Sequence, residues 1–365
     1  MQFGQAPAER HHGECATLRP TQHSIPGMTN PRISILLPVF NAAATLPEAL
    51  NSILAQTFSA FEVIAVDDGS SDPSTDILRN AAAADPRIKP LPSHHVGLVA
   101  ALEIGLRHCA GHYIARMDAD DRMAPQRLQR QVAFLDTHPN VALVSSQVEI
   151  FADEPLGEGW RQYLEWQNGC LTPCQIADNI YWEAPFVHPS VMFRRDAIES
   201  IGGYRHGDFP EDYELWLRMN AAGMQMAKIP ETLLFWRDHS DRLTHNDPRL
   251  SADAFNRIRM RYLADDPRLN DGRPIAIWGA GRKTRKRFRR LFDAGIRPIC
   301  WIDIAPKKIG LTIDGIEVLS PQQLARLSPQ PFVLAAVRSH GARALIEAQL
   351  GIFGYCRGID YLPVG

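Results

Sequence analysis

The stretch Tyr113-Ile114-Ala115-Arg116-Met117-Asp118-Ala119-Asp120-Asp121 joins an apolar segment to a cluster of carboxylates. Side chains alternate along a strand, so a strand over residues 113–117 directs Asp118 and Asp120 to one face. Two such carboxylates repel each other unless a cation or several donors hold them. Mg²⁺ and Mn²⁺ prefer oxygen ligands and keep positions open for substrate phosphates. Because Pro125 follows closely, the cap of a helix that begins there is the alternative to a metal site.

Strand and helix patterns alternate outward from this stretch. They predict strands over residues 33–39, 61–66, 113–117 and 141–151, and helices over 46–56, 75–84, 97–109 and 126–137. This alternation predicts an α/β layered domain with a mostly parallel sheet flanked by helices. Ligands of such sheets bind outside the carboxyl ends of the strands. Every acidic motif of this part of the chain follows a predicted strand, which favours a chemical role.

Two further polar clusters follow the first and second predicted strands. They are Pro38-Val39-Phe40-Asn41 and Asp67-Asp68-Gly69-Ser70. Gly69 permits a tight turn that presents a carboxylate to the donors of a base or ribose, and the ring of Phe40 is suited to lie against a base. A turn with a helix cap is the alternative for the two aspartates, and core packing is the alternative for Phe40.

Length and composition limit the class of protein. A chain of 365 residues fits two domains, and a hydrophobic content of 45% supplies packed cores. The formal charge of -2 argues against a nucleic-acid-binding surface, and no apolar run reaches the roughly 18 residues of a membrane span. The six cysteines lack paired CxxC motifs, which is typical of reduced thiols in a cytosolic protein.

Composition also predicts where the domains begin and end. Residues 1–30 lack a hydrophobic period and a signal-peptide layout, so we expect a disordered tail. Met28 is an alternative start, and an intact mass would decide whether the residues before it belong to the native protein. A larger domain is expected over residues 31–265 and a smaller one over 270–365, because residues 265–273 are polar and rich in turn formers.

Residues 33–240 resemble the family 2 glycosyltransferases, which have a GT-A fold and use nucleotide-diphosphate sugars. The two clusters and the acidic stretch described above carry part of this resemblance. Further matches, in the same order as in the family, are His188-Pro189-Ser190-Val191-Met192-Phe193, Glu211-Asp212-Tyr213-Glu214-Leu215-Trp216-Leu217-Arg218 and Trp236-Arg237-Asp238-His239. One motif alone is weak evidence, whereas this series over about two hundred residues is specific.

The resemblance implies a donor site with a divalent metal, Mn²⁺ or Mg²⁺. Asp67 and Asp68 are expected at the nucleoside, and Asp118 and Asp120 correspond to the DXD pair. Asp120 is expected to be the principal metal ligand. Asp118 is expected to contribute to the metal site and to lie nearer the ribose or the donor sugar. The remaining implied donor-side residues are Pro38, Phe40, Asn41, Arg116, His188, Arg237 and His239.

Four of these donor-side residues have an alternative role. Arg116 and Arg237 could each form a surface salt bridge, and His188 and His239 could be packing or surface residues. By resemblance, His188 opens a segment that lines the acceptor side, and His239 lies near the diphosphate or metal.

Glu211 and Asp212 open an amphipathic helix predicted over residues 211–222. The helix macrodipole favours carboxylates in the first turn, and this alone would explain why Glu211 and Asp212 stand there. The same dipole favours the charged form of a carboxylate and therefore opposes a raised pKa. Burial and a neighbouring carboxylate raise the pKa. The resemblance assigns the general base to Asp212, with Glu211 beside it, and implies inversion at the anomeric carbon.

The smaller domain resembles Rossmann-like modules attached to sugar-modifying enzymes. Gly279 and Gly281 follow a predicted strand and Asp303 follows the next, but Thr284 occupies the third glycine position of a dinucleotide motif. The helix predicted over residues 282–294 is densely basic, which fits phosphates, an anionic membrane surface or a solvated face. We expect a docking or acceptor-positioning role without NAD.

These observations predict a metal-dependent, inverting, non-processive glycosyltransferase acting on a glycan or lipid-linked acceptor in polysaccharide or glycolipid assembly. The processive motif Gln-x-x-Arg-Trp is absent. The expected location is the cytoplasm, with peripheral contact at the inner membrane left open. A sugar nucleotidyltransferase and a non-catalytic binding protein are the alternatives. Nucleotidyltransferases usually begin with a glycine-rich, Arg-containing loop, which this chain lacks after its first predicted strand. A binding protein would not need the candidate base Asp212. The sequence does not specify the donor, the acceptor or the oligomeric state.

Overall fold

The computed structural model describes residues 31–152, 157–239, 247–339 and 341–365. The predicted tail over residues 1–30 lies outside the described residues. Residues 31–365 form one compact unit that contains two sheets. The predicted boundary between the two domains, at residues 265–270, remains a prediction.

The first sheet has eight strands: β1 Ile33–Val39, β2 Phe61–Asp67, β3 Ile88–Pro92, β4 Tyr113–Arg116, β5 Arg122–Met123, β6 Val141–Ala152, β7 Met192–Arg194 and β8 Gln225–Asp238. Their order is β3-β2-β1-β4-β7-β6-β8-β5. Pairing is parallel from β3 to β4 and between β6 and β8, and antiparallel elsewhere. All seven positions of β1 and of β2 are buried, as expected for parallel strands covered on both faces.

Nine helices among the described residues accompany this sheet: α1 Leu46–Leu54, α2 Ser74–Ala84, α3 Leu98–His108, α4 Arg127–Thr137, α5 Glu158–Gly169, α6 Pro173–Asn179, α7 Arg195–Ser200, α8 Glu211–Ala221 and α9 Ala252–Ala264. The predicted strands and helices of this part are all present, with ends shifted by at most two residues. Sequence reasoning missed β5, β7 and β8 and the helices α5, α6, α7 and α9. It also missed β3. Lys89, Pro90 and Pro92 interrupt its apolar pattern, and the structure accommodates them because β3 is an edge strand.

The second sheet lies in the C-terminal part of the chain. Its strands are β9 Ile275–Trp278, β10 Cys300–Ile302, β11 Thr312–Ile313, β12 Ile316–Leu319, β13 Phe332–Ala335 and β14 Tyr361–Pro363, and its helices are α10 Arg282–Asp293, α11 Pro321–Leu324 and α12 Ala342–Ile352. The order is β11-β12-β10-β9-β13-β14, and only β11 pairs antiparallel. Asp314 and Gly315, both with positive φ, form the two-residue turn between β11 and β12. The predicted second α/β layer is therefore present.

Helix α9 connects the two sheets. One hydrophobic cluster contains Leu36 beneath the first sheet, Ile258 of α9 and Phe288 of α10. At the surface of the same junction, Arg290 forms an ion pair with Asp253 at 3.1 Å. The apolar core therefore continues from one sheet to the other.

Among the described residues, no helix has the length and apolar character needed to cross a membrane. The five cysteines of the described ranges form no disulfide bond, in line with the predicted free thiols.

Gly111 provides a test of the packing between β1 and the chain that leads into β4. A Cβ at this position would lie 2.5 Å from the backbone nitrogen of Ser34 and 2.6 Å from the carbonyl carbon of Ile33. The backbone of a central strand has little room to move, so we expect Gly111→Ala to lower the free energy of unfolding by about 2 kcal/mol or more. Urea unfolding followed by circular dichroism measures this.

Gly351 is the matched control, because it lies in α12 with nothing within 4 Å of the Cβ position. Gly351→Ala should be neutral or stabilise by up to about 1 kcal/mol through helix propensity. Equal effects of the two substitutions would contradict the close approach at Gly111.

Candidate active site

The carboxyl ends of β1, β2 and β4 meet at one edge of the first sheet. Val39 pairs with Asp67, and Leu36 pairs with Arg116 two residues before the acidic cluster. The loops that follow these strands therefore share one edge, which is where ligands of α/β sheets bind. All three predicted polar clusters lie in these loops.

The first two loops are joined by hydrogen bonds. Asn41 adopts positive φ (48°) and accepts a bond of 2.8 Å at Oδ1 from the Ser71 N–H. Asp67 accepts bonds from the Ser70 N–H at 3.0 Å and from the Thr75 hydroxyl at 2.5 Å. The carboxylate of Asp67 therefore holds the turn in place, as the turn alternative expects, but it does not cap α2. Pro38 is buried within β1.

Asp68 holds the segment that precedes α3. Its two carboxylate oxygens accept bonds from the backbone N–H groups of Val96 at 2.7 Å and Gly97 at 2.9 Å. The ring of Phe40 stacks on that of His95, with centroids 4.2 Å apart, and is 46% exposed. Phe40 is thus not a core residue, and its ring is available at the surface of this edge.

Two arginines lie buried beneath the acidic cluster. Arg116 is only 1% exposed and binds Asp118 at 2.7 Å, so the pair is not a surface salt bridge. Arg127 donates at 2.9 Å to the carbonyl oxygen of Arg116, and at 3.3 Å to that of Val191. Burial lowers the pKa of Arg127 to about 9; the charge of Arg116 acts in the same direction and that of Asp121 opposes it. The two guanidinium groups make the region beneath the carboxylates positive.

Asp118, Asp120 and Asp121 lie together, with one carboxylate oxygen of each within 4.8 Å of the others. Arg237, near the end of β8, and His239, the first residue after β8, both reach the cluster. The backbone N–H of Arg237 donates to Asp121 at 2.8 Å, its Nε donates to the Asp120 carbonyl oxygen at 2.8 Å, and His239 Nε2 lies 3.1 Å from Asp120 Oδ2. Three carboxylates with a nearby imidazole form a donor set that fits Mg²⁺ or Mn²⁺.

Arg237 also forms an ion pair with Glu48 of α1. The salt bridge that is the alternative role of Arg237 is thus present. Arg237 in addition fixes the backbone of the acidic loop, so the motif that follows Trp236 contributes to the position of the cluster.

Glu211 and Asp212 form the first turn of α8. Glu211 is buried, and the partly buried Asp212 accepts a bond at Oδ1 from the Tyr213 N–H at 2.6 Å. Burial, and after it the charge of Glu211, raises the pKa of Asp212 to about 7. Burial likewise raises the pKa of Glu211. Desolvation therefore outweighs the effect of the helix terminus, and the pair has the properties of groups that exchange protons near neutral pH.

His188 is buried next to this pair. Its Nε2 lies 2.8 Å from the Tyr204 hydroxyl, and its Nδ1 lies 4.0 Å from Glu211 Oε1. Burial lowers the pKa of His188 well below its usual value, so the ring is neutral at neutral pH. His188 is therefore a packed, hydrogen-bonded residue in the wall of the site.

One cavity of about 570 Å³ brings these groups together. Six predicted residues line it: Arg116, Asp118, Asp120, His188, Glu211 and Asp212. The other predicted residues, all within the described ranges, are absent from its lining: Pro38, Phe40, Asn41, Asp67, Asp68, Arg237 and His239. The acidic cluster and the candidate base therefore face the same space, whereas the first two loops lie beside it.

Several residues of the cavity lie outside the quoted motifs; of these, only Trp160 is suggested by the sequence, as one of three tryptophans in residues 154–184 suited to stack on an acceptor sugar or to form a hydrophobic lid. Trp160 and Tyr163 of α5, Glu183, and Arg249 after β8 line the cavity. Trp160 lies edge-on to Trp236, with ring centroids 5.5 Å apart. Arg249 and Glu183 reach the cavity from parts of the chain far from the acidic motifs, so the only available signal was their charge.

Comparison with known proteins identifies relatives of this chain. The Glycosyl transferase family 2 profile matches residues 34–202. The amylovoran biosynthesis glycosyltransferase AmsE of Erwinia amylovora is 32% identical over 214 residues, covering 57% of this chain and 77% of that protein. The Escherichia coli UDP-Gal:alpha-D-GlcNAc-diphosphoundecaprenol beta-1,3-galactosyltransferase is 30% identical over 210 residues, covering 57% of this chain and 74% of that protein.

A solved structure confirms the architecture. S. aureus TarS 1-349, determined in complex with UDP-GlcNAc, superposes with a TM-score of 0.53 over 64% of this chain and 66% of its own, at 17% identity. This likeness concerns the fold, and it confirms the GT-A architecture predicted for the larger part of the chain.

The buried position of Arg116 leads to a stability prediction. Arg116→Met removes the partner of Asp118 and a buried charge, so we expect the free energy of unfolding to fall by about 3 kcal/mol. Arg79→Met is the matched control, because Arg79 is exposed and pairs with Asp76 at 2.6 Å. That substitution should cost less than about 1 kcal/mol. Urea titration of both variants measures the difference, and equal losses would contradict a structural role for the buried pair.

Proposed function

This chain belongs to glycosyl transferase family 2, and we propose that it transfers one sugar from a nucleotide-diphosphate donor to a hydroxyl of a glycan or lipid-linked acceptor, with inversion. The observation that carries the proposal is the shared cavity in which the acidic cluster faces the Glu211–Asp212 pair. Transfer requires one site that accepts a diphosphate and another that accepts a proton, and these two clusters supply them. The names of the curated relatives, which refer to amylovoran biosynthesis and to a diphosphoundecaprenol acceptor, support a role in polysaccharide or glycolipid assembly.

The donor is proposed to lie along the carboxyl edge of the sheet. The nucleoside lies against Phe40 and the loops of Asn41, Asp67 and Asp68, which are adjacent to the cavity through the segment that Asp68 holds. The carboxylates of Asp67 and Asp68 keep these loops in shape, since both already accept bonds from the protein. Any contact with the nucleoside would use remaining lone pairs or the backbone of these loops.

The diphosphate is proposed to lie at the acidic cluster. Asp118 and Asp120 would hold a divalent cation, with His239 positioned by Asp120. Such a cation, when bound, neutralises the negative charge that grows on the leaving diphosphate. Arg116 stabilises the conformation of Asp118 from below, and Arg237 fixes the loop that carries Asp120.

Asp212 is proposed to act as the general base. Its carboxylate takes the proton of the acceptor hydroxyl as that oxygen forms a bond to the anomeric carbon. The bond from the anomeric carbon to the diphosphate oxygen breaks on the opposite face, and its electrons leave with the nucleoside diphosphate. This direct displacement inverts the anomeric centre. Burial, and after it the charge of Glu211, keeps the pKa of Asp212 high. Arg249 lines the same cavity as a counter-charge to the two carboxylates.

Donor turnover tests the proposed function. Release of nucleoside diphosphate is measured from a panel of UDP-, GDP- and TDP-sugars with Mn²⁺, with Mg²⁺ or with EDTA. We expect metal-dependent turnover of one donor, and a loss of about a hundredfold or more in Asp120→Asn. Asp76→Asn, the same change at an exposed residue of α2 that forms an ion pair with Arg79, should retain activity.

Three outcomes would count against this proposal. Equal turnover in EDTA would exclude the metal, and retention in an assay of the product anomer would exclude direct displacement. The absence of any turnover, with no metal-dependent binding of a nucleotide in calorimetry, would contradict the transferase assignment itself.

The raised pKa of Asp212 predicts the pH dependence. A base acts when deprotonated, so kcat/KM should rise tenfold per pH unit below about pH 7 and level off above it. Asp212→Asn should lose about a thousandfold in kcat. Glu211→Gln removes the charge that raises the pKa of Asp212, so the midpoint of the profile should move to lower pH.

The comparison between these two variants identifies the base. A merely structural Glu211 would change the amplitude of the profile and leave its midpoint in place. If Glu211→Gln abolishes activity and Asp212→Asn retains it, the roles of the two residues are exchanged.

A further inference from the structure

A second cavity, of about 1270 Å³, lies at the carboxyl ends of the strands of the second sheet. Trp278 and Gly279 line it at the end of β9, Asp303 at the end of β10, and Val337 beyond β13. Strand β9 pairs with β10 on one side and with β13 on the other, so the strand order reverses there. In open parallel sheets this switch point forms the crevice that binds ligands.

The lining of this second cavity is strongly basic. Seven cationic side chains contribute to it, against two acidic ones: Arg259, Arg282, Lys283, Lys286, Arg287, Lys308 and Arg338, with Asp253 and Asp303. Four of these seven cationic residues belong to α10: Arg282, Lys283, Lys286 and Arg287. Within the described ranges, none of the four forms an ion pair. Burial, and after it the charges of Arg338 and Arg259, lowers the pKa of Arg287 to about 10. Positive charge in this cavity therefore lacks a sufficient counter-charge from the described part of the protein.

The first turn of α10 adds to this excess. The helix spans Arg282–Asp293, its N-cap Gly281 provides no side-chain cap, and no acidic residue lies in the first turn. Arg282 and Lys283 occupy that turn instead, where the macrodipole is also positive and cations are unfavourable. An anion at this terminus would accept hydrogen bonds from the backbone N–H groups of the first turn, which have no partner within the helix. It would also reduce the repulsion between the helix terminus and the cations of that turn. A Cβ at Gly281 would meet nothing within 4 Å, so the space above the turn is open.

A buried amide gives an independent indication of a ligand. Asn256 of α9 lines the cavity and is only 6% exposed. Its Nδ2 donates to the carbonyl oxygen of Arg287 at 3.2 Å, whereas Oδ1 has no hydrogen-bond partner in the described part of the chain. An unsatisfied buried acceptor is costly. Oδ1 is itself closed to solvent, so a hydroxyl group on a bound molecule would satisfy it once a neighbouring side chain moves aside.

Asp303 argues against a dinucleotide as this ligand. Its carboxylate accepts from Lys308 Nζ at 2.6 Å, from the Ala305 N–H at 2.9 Å and from the Ala280 N–H at 3.2 Å. A carboxylate bound in this way is less available to the ribose hydroxyls that the corresponding residue accepts in dinucleotide-binding folds. Recognition would therefore rest on the phosphate and on Asn256.

We propose that this cavity binds a phosphate ester that carries hydroxyl groups, such as a sugar phosphate or a mononucleotide. The phosphate lies at the N-terminus of α10 beside Lys283, Lys286 and Arg287, and a ligand hydroxyl donates to Asn256 Oδ1. Apolar side chains form the remaining wall around the rest of the ligand: Trp278, Ile302, Ile304 and Ile346. This site is separate from the acidic cavity and does not depend on the transferase mechanism.

Calorimetric titration of the full chain tests this proposal. The probes are ribose 5-phosphate, ADP and inorganic phosphate, all in EDTA so that metal-dependent binding at the acidic cluster is suppressed. Lys283→Glu/Lys286→Glu is compared with Arg289→Glu/Arg297→Glu, which makes the same change in net charge at exposed residues outside the cavity lining. At least one ester should bind more tightly than inorganic phosphate. The cavity pair should weaken this binding by about tenfold or more, and the control pair by less than about twofold.

Asn256→Asp gives a second measurement, since a carboxylate still accepts from a hydroxyl but repels a phosphate ester. Asn256→Asp should weaken ester binding. Thermal unfolding of the same variant shows whether the fold is retained. The proposal is overturned if no ester binds, if inorganic phosphate binds as tightly as the esters, or if both charge-reversal pairs weaken binding equally. Loss of the binding in Asp120→Asn would also overturn it, because the ester would then occupy the acidic cavity.

Discussion

The burial of positive charge beneath the acidic loop is the constraint on which the first site depends. Arg116 and Arg127 are both buried, and a buried guanidinium requires acceptors and a counter-charge. Backbone carbonyls and the carboxylate of Asp118 supply them. The carboxylates in turn tolerate their mutual repulsion because this charge lies below them. The protein therefore neutralises part of the charge of the acidic cluster, and Asp118 and Asp120 face the cavity.

A further buried arginine connects this site with the C-terminal part of the chain. Arg259 of α9 is buried and donates to the C-terminal carbonyl oxygen of Gly365, to the Tyr213 hydroxyl at 3.1 Å and to Glu183 Oε1 at 3.3 Å. Glu183 also accepts from Arg338 at 2.8 Å. Glu183 lines the acidic cavity, whereas both arginines line the basic one. Ion pairs through Glu183 therefore link the linings of the two cavities, in addition to the apolar core that the two sheets share.

The sequence predicted much of the first site because the relevant information is local. Side-chain alternation places Asp118 and Asp120 together, and a strand end followed by polar residues predicts the edge at which they lie. The pairing of Asp68 with the backbone at Val96 and Gly97 could not be predicted, because it depends on how a later loop folds back. The burial of Arg116 depends on residues that come much later in the chain, His188, Tyr204 and Glu211, and no local pattern encodes their position. Arg249 enters the cavity from beyond β8 for the same reason.

The two cavities use the same backbone feature with opposite charges. The N-terminus of α8 carries Glu211 and Asp212, so its dipole stabilises their charged forms, yet burial still raises the pKa of Asp212 to about 7. The N-terminus of α10 carries Arg282 and Lys283, so its dipole adds to their charge. At α8, the dipole limits the rise in the pKa of the acidic pair, so that the pair exchanges a proton near neutral pH. At α10, no acidic side chain of the first turn offsets the positive charge of the helix terminus, and the proposed anion would supply the complementary charge. The sign of the first-turn side chains therefore distinguishes the proposed proton-accepting site from the proposed anion-binding site.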